Sequence, residues 1–286
     1  MTGVLGRVAV FLEAIKFSHS IFALPFAVAA AFMASESLPP LSLLGKIVLA
    51  CVFARTAAMA FNRFADAEID RRNPRTAQRA VPTGELANGF MLGATAISAA
   101  AFVGTAYWIN TLAFRLSPVA LCVLLGYSYT KRFTSLSHLV LGAALGLSPL
   151  GAWVAVRSEV ALLPAILGIA VLFWTGGFDI IYACQDEEFD RSSGLLSLPR
   201  RLGIAKSLRV ARLFHIVTIA LLIAVGVLGS YGTPYYVGVA LVGVLLSYEH
   251  SLVSPTDLSR VNVAFFTLNG LVSLSFMAAV ILQVVL

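Results

Sequence analysis

Acidic side chains are scarce in this chain, 14 among 286 residues, and most of them gather in two short segments. In NRFADAEIDRRNPRTAQRAVPTG, Asn62, Asp66 and Asp70 stand at i, i+4 and i+8, a spacing that puts them on one face of a helix. Arg55, seven residues earlier, shares that face. In DIIYACQDEEFDRSSGLLSLPRRLG, Asp179, Tyr182, Asp186 and Asp190 follow at offsets of three, seven and eleven, again one helical face. Two such carboxylate ladders in one cavity repel strongly unless cations stand between them. Hard oxygen ligands favour Mg2+. That ion keeps its waters and takes one or two carboxylates plus substrate phosphates, so each ladder would hold one ion and leave room for a diphosphate. Arg63, Arg71, Arg72, Arg75, Arg79, Lys131, Arg132, Arg200 and Arg201 surround the ladders. This is more positive charge than the carboxylates require, and it implies an anionic substrate.

The elements that position these residues follow from composition. Apolar residues make up 59% of the chain and charged ones 12%, with a mean hydropathy of +0.90; a soluble domain carries about 25% charged residues. A soluble protein is excluded. The net charge of +6 lacks the polar body of a nucleic-acid binder and suits a membrane surface instead. A helix needs about 20 residues to cross the hydrocarbon, and nine apolar runs of that order are present, near 17–36, 41–64, 86–108, 114–130, 135–156, 160–184, 207–228, 233–250 and 261–285. The boundary around Arg115 is the least distinct. The first run is read as a retained span rather than a signal peptide, because so many spans follow it. Nine crossings place Lys46, Arg115 and Arg157 on one side and Arg55 within the second helix; the remaining 16 of the 20 Lys and Arg lie on the other side. The positive-inside rule makes that side cytoplasmic, with the N-terminus inside and the C-terminus outside, as in a bacterial inner membrane protein. Both acidic loops then open on the cytoplasmic face and share one site. The expected fold is an all-α membrane protein, a single domain over 1–286.

Several residues have plainer readings. Charges at loop ends are ordinary topology signals, and Glu68, Arg71, Arg72, Glu187 and Glu188 fit that reading. Asp179 lies near the end of a helix, where an ionisable residue costs about 2.5–3.5 kcal/mol on insertion scales, which favours a functional explanation. Its alternatives are a third metal ligand or a helix–helix bond. Arg55 carries a similar argument, its alternative being an ion pair with a ladder aspartate. His19, His138, His215 and His250 have no metal-site spacing and read as buried or interfacial histidines. Asn262 and Asn269 share a face as interhelical hydrogen-bonding residues, and LGAALGLSPLGAW reads as close helix packing. Cys51, Cys122 and Cys184 read as packing residues. No P-loop, Rossmann fingerprint, GxSxG or HExxH occurs.

NRFADAEID and the YACQDEEFD stretch after Asp179 resemble the two aspartate-rich motifs of the UbiA superfamily of intramembrane aromatic prenyltransferases. KFSHSIFALPF, NPRTAQRAVPTG, GYSYTKR and SLPRRLG look like its members too. The resemblance implies helices around a central cavity capped by cytoplasmic loops, with Mg2+ binding an isoprenyl diphosphate. It implies Asn62, Asp66 and Asp70 for one metal and Asp186 and Asp190 for the other, with Asp66 and Asp186 as catalytic residues; Asp179, one turn inward of Tyr182, is the candidate for polarising an acceptor hydroxyl or removing a proton. Tyr127, Lys131 and Arg132 match a segment brought to the diphosphate, joined by Arg75, Arg79 and Arg200. Arg55 matches a position associated with the aromatic acceptor, with Asn62 and Tyr182 beside it. The first motif has Arg63 where many members have Asp, and the second has a run of Glu. Both variants occur in a quinone-pathway branch similar to 4-hydroxybenzoate prenyltransferases, and a futalosine-derived aromatic acid of menaquinone synthesis is the alternative acceptor.

The expected chemistry is loss of diphosphate to leave an allylic cation in a dry pocket, followed by attack of an electron-rich ring. The rival class is a cation- or proton-coupled transporter, which needs ionisable groups through the membrane depth. Here they gather at one face. The expected partners are therefore a polyprenyl diphosphate, an aromatic acceptor and the lipid bilayer, and no nucleic acid.

Overall fold

The computed structural model describes residues 3–286, and apart from an isolated bridge between Ser254 and Asp257 the described residues form helices and connecting turns. The helices are α1 (Val4–Ala14), α2 (Ser20–Ser35), α3 (Leu41–Arg72), α4 (Asn88–Ile109), α5 (Thr111–Thr130), α6 (Ser137–Arg157), α7 (Leu162–Ala183), α8 (Glu187–Ser193), α9 (Leu198–Leu202), α10 (Ile204–Leu228), α11 (Thr233–Ser251) and α12 (Asn269–Val285). Among the described residues, eight stretches are long and apolar enough to cross a membrane. They carry eight of the nine expected spans. The ninth, 233–250, forms α11, whose Tyr235, Tyr236, Ser247, Tyr248, Glu249 and His250 dilute its apolar character.

Chain neighbours pack side by side from α2 to α7, then α10, α11 and α12, and α12 closes the ring against α2. Helix α2 also packs on α6. Its Phe22 and Phe26 meet Trp174 and Phe178 of α7 and Phe276 of α12 in one aromatic core. Pro25 lies inside α2. A proline lacks the N–H that would bond the carbonyl four residues back, and here Ser273 of α12 donates its hydroxyl to that carbonyl, Ile21 O, at 2.6 Å. This meets the membrane requirement that a freed carbonyl find a partner.

The indistinct boundary near Arg115 resolves into a one-residue turn. Asn110 separates α4 from α5, accepts the Ala113 N–H at 2.8 Å as an N-cap, and donates to Val154 O at 2.8 Å. Arg115 is thus inside α5 rather than in a loop. The glycines of LGAALGLSPLGAW are contact points, as expected: a Cβ on Gly142 or Gly146 would collide with the backbone carbonyl of Leu172 or Gly168 on α7, while Gly151 faces open space.

Two expectations change. The last span is not α-helical throughout; after Val261 and Asn262, Val263–Leu268 forms a π-helical turn. Its i→i+5 bonding rotates the helix face, so Asn262 is exposed while Asn269 is fully buried. The second acidic segment is not one continuous helix either, because α7 ends at Ala183 and a 3-10 turn over Cys184–Asp186 leads into α8. Helix α1, an additional element ahead of the first span, packs Phe11 edge-on against Phe90 at 5.5 Å.

Candidate active site

Helix α3 carries the first acidic segment. Its 32 residues span ~48 Å at 1.5 Å per residue, well beyond a hydrocarbon core of about 30 Å. The surplus turns therefore carry Asn62, Asp66 and Asp70 past the apolar zone on an unbroken helix. The second segment reaches the same place through the break after α7. Both line one polar chamber of about 320 Å3, together with Arg55, Arg75, Arg79, Tyr127, Lys131, Asp179 and Tyr182. Asn62, Asp66, Asp70, Asp186 and Asp190 are all on its wall.

Three of the motif carboxylates, Asp66, Asp70 and Asp186, each meet a cation. Lys131 Nζ lies 2.7 Å from Asp66 Oδ2, which also accepts from Asn62 Nδ2 at 2.9 Å. Arg79 Nη1 donates to both oxygens of Asp70 at 2.8 and 2.9 Å, and Arg63 Nη1 stands 3.8 Å from it. Asp186 accepts from Asn73 Nδ2 and Arg75 Nε, each at 2.9 Å. Arg75 Nη1 also donates to Tyr182 Oη at 3.0 Å. Burial disfavours the charge of Arg75, but the Asp186 hydrogen bond and negative charge outweigh it and hold the guanidinium above its ordinary pKa.

The donor chemistry fits a hard cation. Both segments offer only oxygen, and Asp66 Oδ1 is buried without a hydrogen-bond partner. No three His, Cys, Asp or Glu side chains converge among the described residues. A cation held here would complete its shell with water and phosphate oxygens, as Mg2+ does.

Arg55 differs from the other arginines on the wall. Its Nη2 donates to Lys16 O at 2.9 Å, its Nε is buried without a partner, and no carboxylate pairs with it among the described residues. The ion-pair alternative from the spacing is therefore not what the structure contains. Asp179 bonds His138 at 2.7 Å, which meets the helix–helix alternative and adds a histidine that the spacing did not single out. Two expected diphosphate residues are not on the chamber wall, although Arg132 Nη2 stands 3.8 Å from Asp66 Oδ1. Arg132 donates to Ala65 O at 2.5 Å and lies over Tyr129, and Arg200 donates to Leu195 O. Both serve backbone carbonyls that no sequence spacing marks.

A second cavity of about 320 Å3 lies deeper between α3, α4, α5 and α6 and is apolar. Arg55, Met59, Tyr127, Leu141 and Leu145 line both spaces. Of the other histidines, His215 and His250 bond each other at 3.0 Å beside the buried Glu249, away from the chamber.

The profile of the UbiA prenyltransferase family matches residues 23–271, the greater part of the chain. The chain belongs to the UbiA prenyltransferase family. A Vibrio cholerae protein named 4-hydroxybenzoate octaprenyltransferase is 29% identical over 255 residues, covering 89% of each chain. The apo structure of a UbiA homolog from Aeropyrum pernix K1 superposes with a TM-score of 0.84 at 34% identity, over 92% of this chain and 97% of that one. A UbiA homolog from Archaeoglobus fulgidus, solved bound to GPP and Mg2+, shares the fold with a TM-score of 0.74 at 20% identity, over 96% and 99%. Like its UbiA relatives, the chain is an integral membrane prenyltransferase.

Proposed function

We propose that this UbiA member transfers a polyprenyl group from a polyprenyl diphosphate to a ring carbon of an aromatic acid of the 4-hydroxybenzoate type, in quinone biosynthesis. The observation that carries the reading is a junction: a polar chamber holding both acidic segments shares a wall with a deep apolar cavity, and Arg55, without a carboxylate partner, stands in that wall. A diphosphate with an apolar tail, beside an aromatic carboxylate, matches this distribution of charge.

In this reading Asn62, Asp66 and Asp70 hold one Mg2+ and Asp186 and Asp190 the other; when bound, the ions offset charge developing on the departing diphosphate. Arg75, Arg79 and Lys131 do the same directly. The allylic C–O bond breaks, both electrons leave with the diphosphate, and a ring carbon of the acceptor forms the new C–C bond. The ring proton passes to Asp179, and aromaticity returns. Phe22, Phe178, Leu141 and Leu145 on the wall keep water from the cation. Arg55 holds the acceptor carboxylate in a bidentate pair. Tyr182 and Phe265, with ring centroids 4.2 Å apart, border the acceptor ring.

The same reading takes 1–286 as one transmembrane unit, α11 as a ninth crossing of ~28 Å, and the chamber and N-terminus as cytoplasmic, supported by the concentration of basic residues at that face. The test is an assay of the purified protein with Mg2+ and a polyprenyl diphosphate, offering 4-hydroxybenzoate and a futalosine-derived acid in parallel and weighing the products. A prenylated 4-hydroxybenzoate that disappears on chelation is expected. Product only with the other acid transfers the protein to the menaquinone branch, and folded protein without Mg2+-dependent diphosphate binding overturns the enzyme reading.

A further inference from the structure

The chamber contains a pairing that the two acidic motifs do not require. His138, on α6, is buried to 3% exposure, and its Nδ1 lies 2.7 Å from Asp179 Oδ2 on α7. Its other ring nitrogen, Nε2, accepts the backbone N–H of Leu198 at 3.4 Å. Leu198 opens α9, directly after the loop that follows α8. A nitrogen that accepts an N–H carries no proton, so the imidazole proton sits on Nδ1 and is donated to Asp179. The Nδ1–H tautomer is therefore the one this hydrogen-bond geometry selects.

We infer that His138 is a positioning residue for prenyl transfer: it fixes Asp179 as a proton-accepting carboxylate aimed into the chamber, in a tautomer set by the α9 backbone. The inference rests on the prenyl-transfer reading above. Asp179 has one oxygen engaged by the ring, and its half-buried side chain lines the chamber beside Tyr182. The proton lost from the acceptor ring ends on the Asp179 carboxylate; the C–H electron pair returns to the ring, and no redox partner is needed. Because Leu198 belongs to the cap and Asp179 to the transmembrane helix, His138 also ties the seating of the cap to the orientation of the base. Second-sphere donors of this kind orient the group they bond, and misplacement of a reacting group by about 1 Å costs roughly 100-fold in rate.

The test compares three substitutions in the full-length protein with wild type. An asparagine amide nitrogen replaces Nδ1 and can still donate to Asp179, whereas a glutamine amide reaches the Nε2 position and serves Leu198 instead. His138→Ala and His138→Gln should lower kcat by about 10- to 100-fold, with KM for both substrates and Mg2+-dependent prenyl diphosphate binding unchanged, while His138→Asn should recover most of the rate. His138→Ala added to Asp179→Asn should cost no further rate. Glutamine equal to or better than asparagine, additive losses in the double variant, or a change confined to KM would overturn the inference. Should His138→Ala fail to fold, the asparagine–glutamine order decides. A wild-type protein that transfers no prenyl group overturns the functional reading itself, a result separate from an active wild type with an indifferent His138.

Discussion

The two acidic segments solve the same problem by different means. The first stays on one helix, so Asn62, Asp66 and Asp70 keep the register that their four-residue spacing dictates. The second crosses a helix end and a 3-10 turn before Asp190, which lies within the short α8. Its Asp186 is held by Asn73 and Arg75, and Asp70 by Arg79, all from the connection between α3 and α4. One loop therefore supplies a cationic partner to each segment. The comparison teaches that an unbroken helix sets the register of its carboxylates by periodicity, whereas across a broken helix the turn sets it; both segments then take cationic partners from outside their own helices.

The sharpest way to break the comparison is to remove one carboxylate from each segment. Asp66→Ala and Asp186→Ala should each lower prenyl transfer by about 1,000-fold or more, as loss of a major charge-stabilising group does, with the protein still folded in detergent. Wild-type turnover in either variant would remove that segment from the chemistry. Next comes Arg55, on the face of the first segment. Arg55→Ala should raise KM for the aromatic acid roughly 100-fold, the loss of a buried charge pair, and leave KM for the prenyl diphosphate near wild type. Equal rises in both constants would take Arg55 out of the acceptor site.

The second segment also depends on how closely α7 approaches α6. Gly142→Ala places a methyl group against Leu172 O, and overpacking of this kind costs about 1–3 kcal/mol. Its thermal unfolding midpoint should fall, while the same change at the open Gly151 should leave it within experimental scatter. The smallest effect is expected at Tyr182→Phe. The lost hydrogen bond from Arg75 is worth about 1 kcal/mol, so a rise in prenyl diphosphate KM of under about tenfold is expected, and a larger one would give Tyr182 a role beyond holding Arg75.

Much of the first segment was legible in the sequence and much of the second was not. Asp66 and Asp70 could be placed because helical spacing is a local property of an apolar run continuing into a charged one. His138 was passed over as an ordinary buried histidine: its partners, Asp179 and the Leu198 N–H, lie 41 and 60 residues away, and no spacing rule links them. Arg132 and Arg200 show the converse. Both sit in motifs that attract attention, yet each turns to a backbone carbonyl, a partner every residue possesses and none advertises. Asn262 and Asn269 were given one face by seven-residue spacing, and the intervening π turn separated them.

The sequence by itself determined that the chain is a bundle of membrane helices with its charge at one end, because helix length and hydropathy are local quantities matched to the thickness of a bilayer. It also marked Asn62, Asp66 and Asp70 as one face of a helix, because motif spacing on a helix is local too. Only the tertiary structure decided that Lys131 meets Asp66, that Arg55 has no carboxylate beside it among the described residues and that His138 bonds Asp179. Those pairings depend on which helices become neighbours and on where a helix breaks, and these are set by the packing of the whole ring rather than by any segment within it.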